Sequence, residues 1–183
     1  MISVAESLSE TARPARARLS WWMQLIAVVL GTVALDSVSK YWALQVGQCC
    51  GGLVDPLSND RFALGAGGGH QLMMAVVSAS ALVALVWWAA RRPARIDGWP
   101  IGLVVGGGAA NITDRIVQGQ AGVTDFLNIA NVIVINLADV AVLTGICAGA
   151  LMLLRSHRRN IPHPHREDRG RHRGGSAPAA TRV

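Results

Sequence analysis

Four long apolar blocks dominate the pattern of hydrophobic and polar positions, at residues 21–46, 71–90, 99–118 and 132–154. An α-helix needs about 20 mostly apolar residues to cross the hydrocarbon core of a bilayer, and each block is long enough. The first block exceeds the roughly 7–15 apolar residues of a cleaved signal peptide and contains Asp36 and Lys40, so we expect a retained helix. The pattern predicts an all-α integral membrane protein with four transmembrane helices.

A shorter pattern lies between the third and fourth blocks. Residues 123–127, Val-Thr-Asp-Phe-Leu, begin with two β-branched residues and alternate in polarity. This predicts a small β-like segment outside the membrane that dips back to the membrane surface. It would bring Asp125 close to the outer end of the fourth helix.

The composition indicates one membrane domain with a tail at each end. At 183 residues, with 51% hydrophobic residues and a mean hydropathy of +0.36, the chain has room for one membrane domain, at residues 21–154. Residues 1–20 form a predicted N-terminal tail. Residues 155–183 are basic and, from 157 onward, rich in Arg, His, Gly and Pro without apolar periodicity, so we expect this tail to be disordered.

The basic residues predict the orientation in the membrane. Of the 17 Lys and Arg residues, three precede the first block, three lie in the turn 91–95 and eight follow residue 154, whereas loops 47–70 and 119–131 together hold only Arg61. The positive-inside rule then places both termini and the 91–95 turn in the cytoplasm and the two other loops outside. The net charge of +6 therefore favours contact with anionic headgroups of membrane lipids over nucleic acid.

Polar side chains inside the apolar blocks are candidates for function, because burying an ionisable group in a bilayer is costly. They are Asp36, Lys40, Asn111, Asp114, Arg115, Asn136 and Asp139. With a rise of about 1.5 Å per residue, Asp36 lies roughly 15 Å, and Asn111 and Asp139 roughly 10 Å, from the outer ends of their blocks, so the set falls in the outer half of the membrane. Their spacings of three or four residues put partners on common helix faces, which predicts one polar cluster shared by three helices.

Structural and chemical roles both remain open for the charged pairs. Asp36 with Lys40, and Asp114 with Arg115, can neutralise each other or tie helices together, as buried charges usually do. The fourth block offers Asp139 the neighbouring Asn136 but no nearby cation, which makes Asp139 a candidate for acid–base chemistry. If Asp125 meets Asp139, the two carboxyls can share one proton, so that one activates water while the other polarises a carbonyl.

In these segments the chain resembles the lipoprotein signal peptidase (signal peptidase II) family, over about residues 24–154. Residues 36–40, Asp-Ser-Val-Ser-Lys, resemble Asp-x-x-Thr-Lys, and residues 110–115, Ala-Asn-Ile-Thr-Asp-Arg, resemble Gly-Asn-x-x-Asp-Arg. Residues 123–126 match Val-x-Asp-Phe, and residues 135–139, Ile-Asn-Leu-Ala-Asp, resemble Phe-Asn-x-Ala-Asp. The order of the four segments along the chain is that of the family.

The resemblance implies an aspartyl endopeptidase that cuts diacylglyceryl-modified prolipoproteins before the lipidated cysteine, with its site on the outer face of a bacterial cytoplasmic membrane. It implies that Asp125 and Asp139 are catalytic. We expect the chain to need no cofactor or metal and to act as a monomer, although the sequence leaves the oligomeric state open. The supporting residues would be Asp36, Lys40, Asn59, Asn111, Arg115 and Asn136, with Asp114 structural.

Three features depart from the family pattern. Residues 59–65, Asn-Asp-Arg-Phe-Ala-Leu-Gly, keep only Asn59, Ala63 and Gly65 of Asn-x-Gly-x-Ala-Phe-Gly, which bears on substrate contact by Asn59. Ala110 replaces a glycine, and the stretch from 125 to 139 is shorter than in many members. None of these departures removes a catalytic group.

Two alternatives to a peptidase are a small membrane transporter and an inactive structural relative. A small proton- or ion-coupled transporter also uses intramembrane charges, but it would need polar groups through both halves of the membrane, and here they cluster in one. An inactive structural relative would not need to keep both Asp125 and Asp139. The cysteines at positions 49, 50 and 147 match no metal-binding spacing, and a structural or incidental role is favoured for the adjacent pair.

Overall fold

The computed structural model describes residues 4–60, 70–91 and 96–159 and contains four long α-helices and a small sheet. The helices are α1 (Val4–Val46), α2 (Gln71–Ala90), α3 (Gly98–Val117) and α4 (Leu137–Arg159), and the strands are β1 (Val54–Asn59), β2 (Val123–Ile129) and β3 (Ile133–Ile135). Short 3₁₀ turns at Cys50–Gly52 and Gly119–Ala121 lead into β1 and β2. Residues 157–159, which the sequence assigns to the disordered tail, are helical instead, because they continue α4; from residue 160 onward the predicted tail lies outside the described residues.

Three helices are long and apolar enough to cross a membrane, judged by length and composition: Arg16–Val46, Gln71–Ala90 and Leu137–Arg158. In the most apolar 18-residue stretch of each of these helices, at most 17% is buried inside the protein. Large side chains such as Leu30, Val83 and Leu143 therefore point outward. An outer surface made of aliphatic side chains suits contact with lipid and would be unusual in water. The chain is a multi-pass, mostly helical membrane protein.

Helix α3 is the central helix, because it packs against α1, α4 and α2. Its glycines permit this close approach. A Cβ atom added at Gly107 would collide with the backbone carbonyl of Ala138 on α4, and one at Gly106 would lie 2.8 Å from the Cβ of Thr32 on α1. Small residues at such crossings are the usual means by which membrane helices pack closely.

A cluster of buried side chains holds the helices together at the end opposite the sheet. Its members are Trp21, Leu25, Ala89, Ile96 and Ile101, with Leu153 of α4 packed against them. The indole of Trp21 donates a hydrogen bond of 3.0 Å to the carbonyl of Ile96. This cluster marks the end of the protein at which Arg16 and Arg18 of α1, Arg91 after α2, and Arg155 and Arg158 of α4 lie.

The three strands form an antiparallel sheet in the order β1-β2-β3. Leu57 pairs with Asp125 and Asn59 with Val123, while Leu127 pairs with Ile135. The predicted β-like segment is confirmed as β2, and β1 and β3 extend it to a sheet. Buried Val54 and Phe126 pack with Ala43 of α1, so the sheet is fixed to the end of that helix.

The fourth helix begins later than its apolar block predicts. Residues 132–136 were expected to be helical, and this boundary is wrong, because Ile133–Ile135 form β3 and α4 starts at Leu137. Ala130 and Asn131 have φ values of 53° and 56°, which produces the tight turn that returns the chain from β2 to β3. Apolarity alone does not distinguish a short strand from the first turn of a helix.

The adjacent cysteines lie in the turn that leads into β1. Their Sγ atoms are 2.8 Å apart. Cys49 forms an isolated β-bridge with Val54 and packs against the apolar cluster under the sheet. Cys49 therefore has a structural place at the beginning of the sheet.

Candidate active site

The site is built around the first turn of α4, which is closed by a reciprocal cap. The side-chain oxygen of Asn136 accepts a hydrogen bond of 2.9 Å from the backbone N–H of Asp139, and the backbone N–H of Asn136 donates to Asp139 Oδ2 at 3.3 Å. This is the arrangement of a capping box, in which the residue before the helix and the third helical residue satisfy each other's free N–H groups. The sequence Asn-x-x-Asp thus starts the helix and fixes both side chains.

Helix α1 supplies a second acceptor for the same helix end. Asp36 Oδ1 accepts a hydrogen bond of 2.8 Å from the backbone N–H of Ala138, and the side chain is 1% exposed. A carboxylate at a helix N-terminus is favoured both by the free N–H groups and by the helix dipole. Asp36 therefore fixes the start of α4 against α1.

The amide of Asn136 joins the cap to the strand that carries Asp125. Asn136 is completely buried, and its Nδ2 donates to Asp125 Oδ1 at 2.6 Å and to Asn111 Oδ1 at 3.1 Å. Asn111 in turn donates to Asp139 Oδ1 at 2.9 Å. The carboxyls of Asp125 and Asp139 are therefore linked through two amide side chains.

A buried lysine balances part of the negative charge beside these amides. Lys40 Nζ lies 2.6 Å from Asp36 Oδ2 and 2.8 Å from Asp114 Oδ2, and it donates to Asn111 Oδ1 at 3.3 Å. Asp114 also accepts a bond of 3.3 Å from the backbone N–H of Thr124 in β2. Lys40 and Asp114 thus connect α1, α3 and the sheet, which is the structural role expected of Asp114.

Asp125 is 3% exposed although it belongs to the sheet. Asn59 reaches it diagonally across the β1–β2 ladder, and its Nδ2 donates to Asp125 Oδ2 at 2.8 Å. Burial away from water raises the pKa of Asp125 to about 6 and outweighs the hydrogen bonds from Asn59 and Asn136, which lower the pKa; the charge of Asp139 raises it further. Asn136 of the helix cap donates to the other oxygen, Oδ1, so each carboxylate oxygen of Asp125 accepts one side-chain hydrogen bond.

Arg115 of α3 lies close to the carboxyls of Asp125 and Asp139. Its side chain is buried, Nη1 donates to the carbonyl of Asn111 at 3.1 Å, and its charge interacts with those of Asp139, Asp125 and Asp114. A guanidinium in this position can orient a carboxyl or a peptide carbonyl. The cluster thus contains all eight residues that the sequence singled out as catalytic or supporting.

Some residues of the site were not foreseen. The carbonyl of Thr124 accepts from Asn136 at 3.4 Å, and the Thr124 hydroxyl exchanges hydrogen bonds with the Gln118 side chain. Gln118 ends the third apolar block, where a polar residue gives no specific signal. Among the described residues, no group of three or more His, Cys, Asp or Glu side chains is arranged to hold a metal ion.

Comparison with known proteins identifies the family. The family model described as signal peptidase (SPase) II matches residues 28–155, a range that includes every residue of the cluster. The chain belongs to the signal peptidase II family. It is therefore a membrane peptidase of the aspartic type, and the transporter interpretation is not favoured.

Relatives and solved structures agree with this family. The chain is 32% identical over 146 residues to a lipoprotein signal peptidase of Rhodopseudomonas palustris strain ATCC BAA-98 / CGA009, covering 67% of this chain and 88% of the relative. The lipoprotein signal peptidase of strain TIE-1 is 33% identical, with 68% and 86% covered. A bacterial membrane enzyme solved by the in meso method has a TM-score of 0.64 at 20% identity, covering 76% of this chain and 93% of that one, and so shares the fold.

Proposed function

We propose that this chain removes signal peptides from diacylglyceryl-modified prolipoproteins, with Asp125 and Asp139 as its catalytic carboxyls. The observation that carries the proposal is the pair itself: two carboxyls on different elements, linked through Asn136 and Asn111 and approached by Arg115. Paired carboxyls that share one proton are the chemical basis of aspartyl peptidases. The amides and the guanidinium hold the pair in place and offer donors to a substrate backbone.

One carboxyl must hold a proton and the other must be ionised. We assign the proton to Asp125, because its pKa of about 6 leaves roughly a tenth of the molecules protonated there at pH 7, against about one in a thousand for an ordinary aspartate. Asp139 accepts a proton from water, and the resulting hydroxide oxygen bonds to the scissile carbonyl carbon while Asp125 protonates the carbonyl oxygen. Collapse of the tetrahedral intermediate breaks the C–N bond: Asp139 gives its proton to the departing amine, and one hydroxyl proton of the intermediate returns to Asp125 as the carbonyl re-forms.

The proposed topology has four transmembrane helices, with both termini in the cytoplasm and the sheet outside a bacterial cytoplasmic membrane. The described basic residues Arg16, Arg18, Arg91, Arg155 and Arg158 lie on the helix ends that meet at the Trp21–Ile96 cluster, away from the sheet. This distribution supports the orientation through the positive-inside rule. Helix α3 serves as the fourth span, and the charge of its Asp114 and Arg115 is met by partners within the protein.

The lipid on the substrate is proposed to supply most of the recognition. The polar cluster extends from Asp139 in the first turn of α4 to Asp36 and Asn111, which lie roughly 15 and 9 Å inside the outer ends of α1 and α3, where a water-soluble peptide would rarely reside. Each buried CH₂ of an acyl chain adds about 0.8 kcal/mol to membrane partitioning, so a diacylglyceryl group would hold the scissile bond at that depth. The membrane would then provide much of the proximity that catalysis needs.

The direct test compares one prolipoprotein before and after diacylglyceryl transfer, incubated with the purified protein in the same detergent at equal concentration. We expect the modified form to lose its signal peptide on a gel and the unmodified form to stay almost intact. Equal cleavage of both forms would contradict the role of the lipid. Cleavage of neither form, by a protein that remains folded, would contradict the proposed function itself.

A further inference from the structure

Gln71, the first residue of α2, carries a buried side-chain amide. Gln71 is only 4% exposed, and its side-chain Nε2 donates a hydrogen bond to the backbone carbonyl of Asp60. Asp60 immediately follows β1. The hydrogen bond therefore joins the start of α2 to the end of the strand whose last residue is Asn59.

The end of β1 is where Asp125 receives one of its two side-chain hydrogen bonds. The last residue pair of the β1–β2 ladder is Asn59–Val123. A strand end frays easily unless something holds it. Gln71 holds the next residue, and the amide of Asn59 keeps its 2.8 Å contact with Asp125 Oδ2.

We infer that Gln71 is a positioning residue for the reaction, which acts by holding the end of β1 so that Asn59 donates to Asp125. This inference rests on the proposed function, because it assigns Gln71 a role through the proposed catalytic carboxyl Asp125. It adds a residue of α2 to a site otherwise built from α1, α3, α4 and the sheet. Gln71 itself touches neither carboxyl in the contacts described.

The surroundings of the Gln71 side chain indicate that its hydrogen bond to Asp60 explains why this position is a glutamine. Gln71 Oε1 is buried and has no hydrogen-bond partner among the described residues. Burying an unpaired amide oxygen is unfavourable, and an apolar side chain of the same length would avoid that cost. Gln71→Met should therefore fold and insert normally while losing the bond to Asp60.

Charged groups from three helices face Asp125, and all remain in this variant. They are Lys40 of α1, Arg115 of α3 and Asp139 of α4. The donor that the substitution loosens is Asn59, which stabilises the ionised form of Asp125 and lowers its pKa. Its loss must raise the pKa of Asp125, so the alkaline limb of the kcat/KM profile must move to higher pH.

The experiment measures cleavage of the diacylglyceryl-modified prolipoprotein from pH 5 to pH 9 by the wild type, Gln71→Met, Asn59→Ala and the double variant. We expect Gln71→Met to lower the maximal kcat/KM about threefold to tenfold and to shift the alkaline limb by about half a pH unit upward. In the Asn59→Ala background the same substitution should have almost no effect, because the contact it protects is already gone. Gln48→Met is the matched control, since Gln48 bonds Asp55 at the exposed beginning of β1.

A purely structural role for Gln71 would lower activity without moving the pH profile, and that result would overturn the inference. Additive effects of Gln71→Met and Asn59→Ala would overturn it as well. Gln71→Leu serves as a second apolar variant if the methionine is poorly accommodated. Failure of the proposed function is distinguishable, because the wild type would then not cleave the modified prolipoprotein, and failure of the assigned role of Asp125 would leave Asp125→Asn active.

Discussion

Asn136→Leu tests the structural centre of the site. Leucine has a similar volume, so the backbone is expected to stay in place, but both the amide donor and the capping oxygen disappear. Asp125 Oδ1 and Asn111 Oδ1 lose a donor at 2.6 and 3.1 Å, and the backbone N–H of Asp139 loses its acceptor at 2.9 Å. The Asn136 side chain is completely buried, so water cannot easily replace these bonds.

The magnitude follows from the kinds of bond lost. A hydrogen bond to a charged group contributes about 1.5–3 kcal/mol, and a neutral one about 1 kcal/mol. If about 3 kcal/mol of this bears on the transition state, kcat/KM falls roughly a hundredfold. The melting temperature should fall too, because an N-cap residue contributes about 1 kcal/mol to the stability of its helix.

The assay is initial-rate cleavage of a diacylglyceryl-modified prolipoprotein in detergent, with the amount of folded enzyme checked by size-exclusion chromatography. Thr144→Val on α4 is the control, since its exposed hydroxyl bonds only the Val140 carbonyl in the contacts described. We expect the control to retain wild-type kcat/KM. A folded Asn136→Leu protein with less than a threefold loss would refute the claim that this amide organises the two carboxyls.

Three further predictions concern the backbone, the pH dependence and the tail. Gly122→Ala should lower both activity and melting temperature, because Gly122 has a φ of 81° and a Cβ atom there would collide with the Asn59 carbonyl. The control Gly31→Ala, at a position of α1 with open space around it, should change neither. For the wild type, kcat/KM should fall as pH rises through about 6, since deprotonation of Asp125 leaves the pair without its shared proton; a flat profile from pH 5 to pH 8 would contradict this assignment. Truncation after residue 159 should leave the cleavage rate comparable, and loss of activity in a stably inserted truncation would contradict the proposed topology.

Much of the fold follows from features that act within one segment. The apolar block 71–90 coincides with α2, and the alternating residues 123–127 lie in β2, because length and periodicity report directly on each element. The beginning of α4 could not be read in the same way. It depends on the turn at Ala130 and Asn131 and on the cap at Asn136, which are set by pairing with β2.

The site shows the same division between local and distant information. The i,i+4 spacing of Asp36 and Lys40 predicted their contact, which is an ion pair of 2.6 Å. The sequence could not reveal that the other Asp36 oxygen caps a helix 102 positions further along the chain. The bonds of Gln71 and Gln118 were equally hidden, since each depends on which strand end lies beside a helix end in the folded chain.

We propose that Asp125 and Asp139 together perform the hydrolysis, and single Asp→Asn substitutions of each residue test this proposal. Cleavage of a diacylglyceryl-modified prolipoprotein would be measured for Asp125→Asn, Asp139→Asn and the wild type, after membrane insertion of all three has been shown to be equal. Because the reaction needs two ionisable carboxyls that share a proton, we expect each variant to lose cleavage by at least about a thousandfold. Near-normal turnover by either inserted variant would remove that residue from the mechanism and contradict the account.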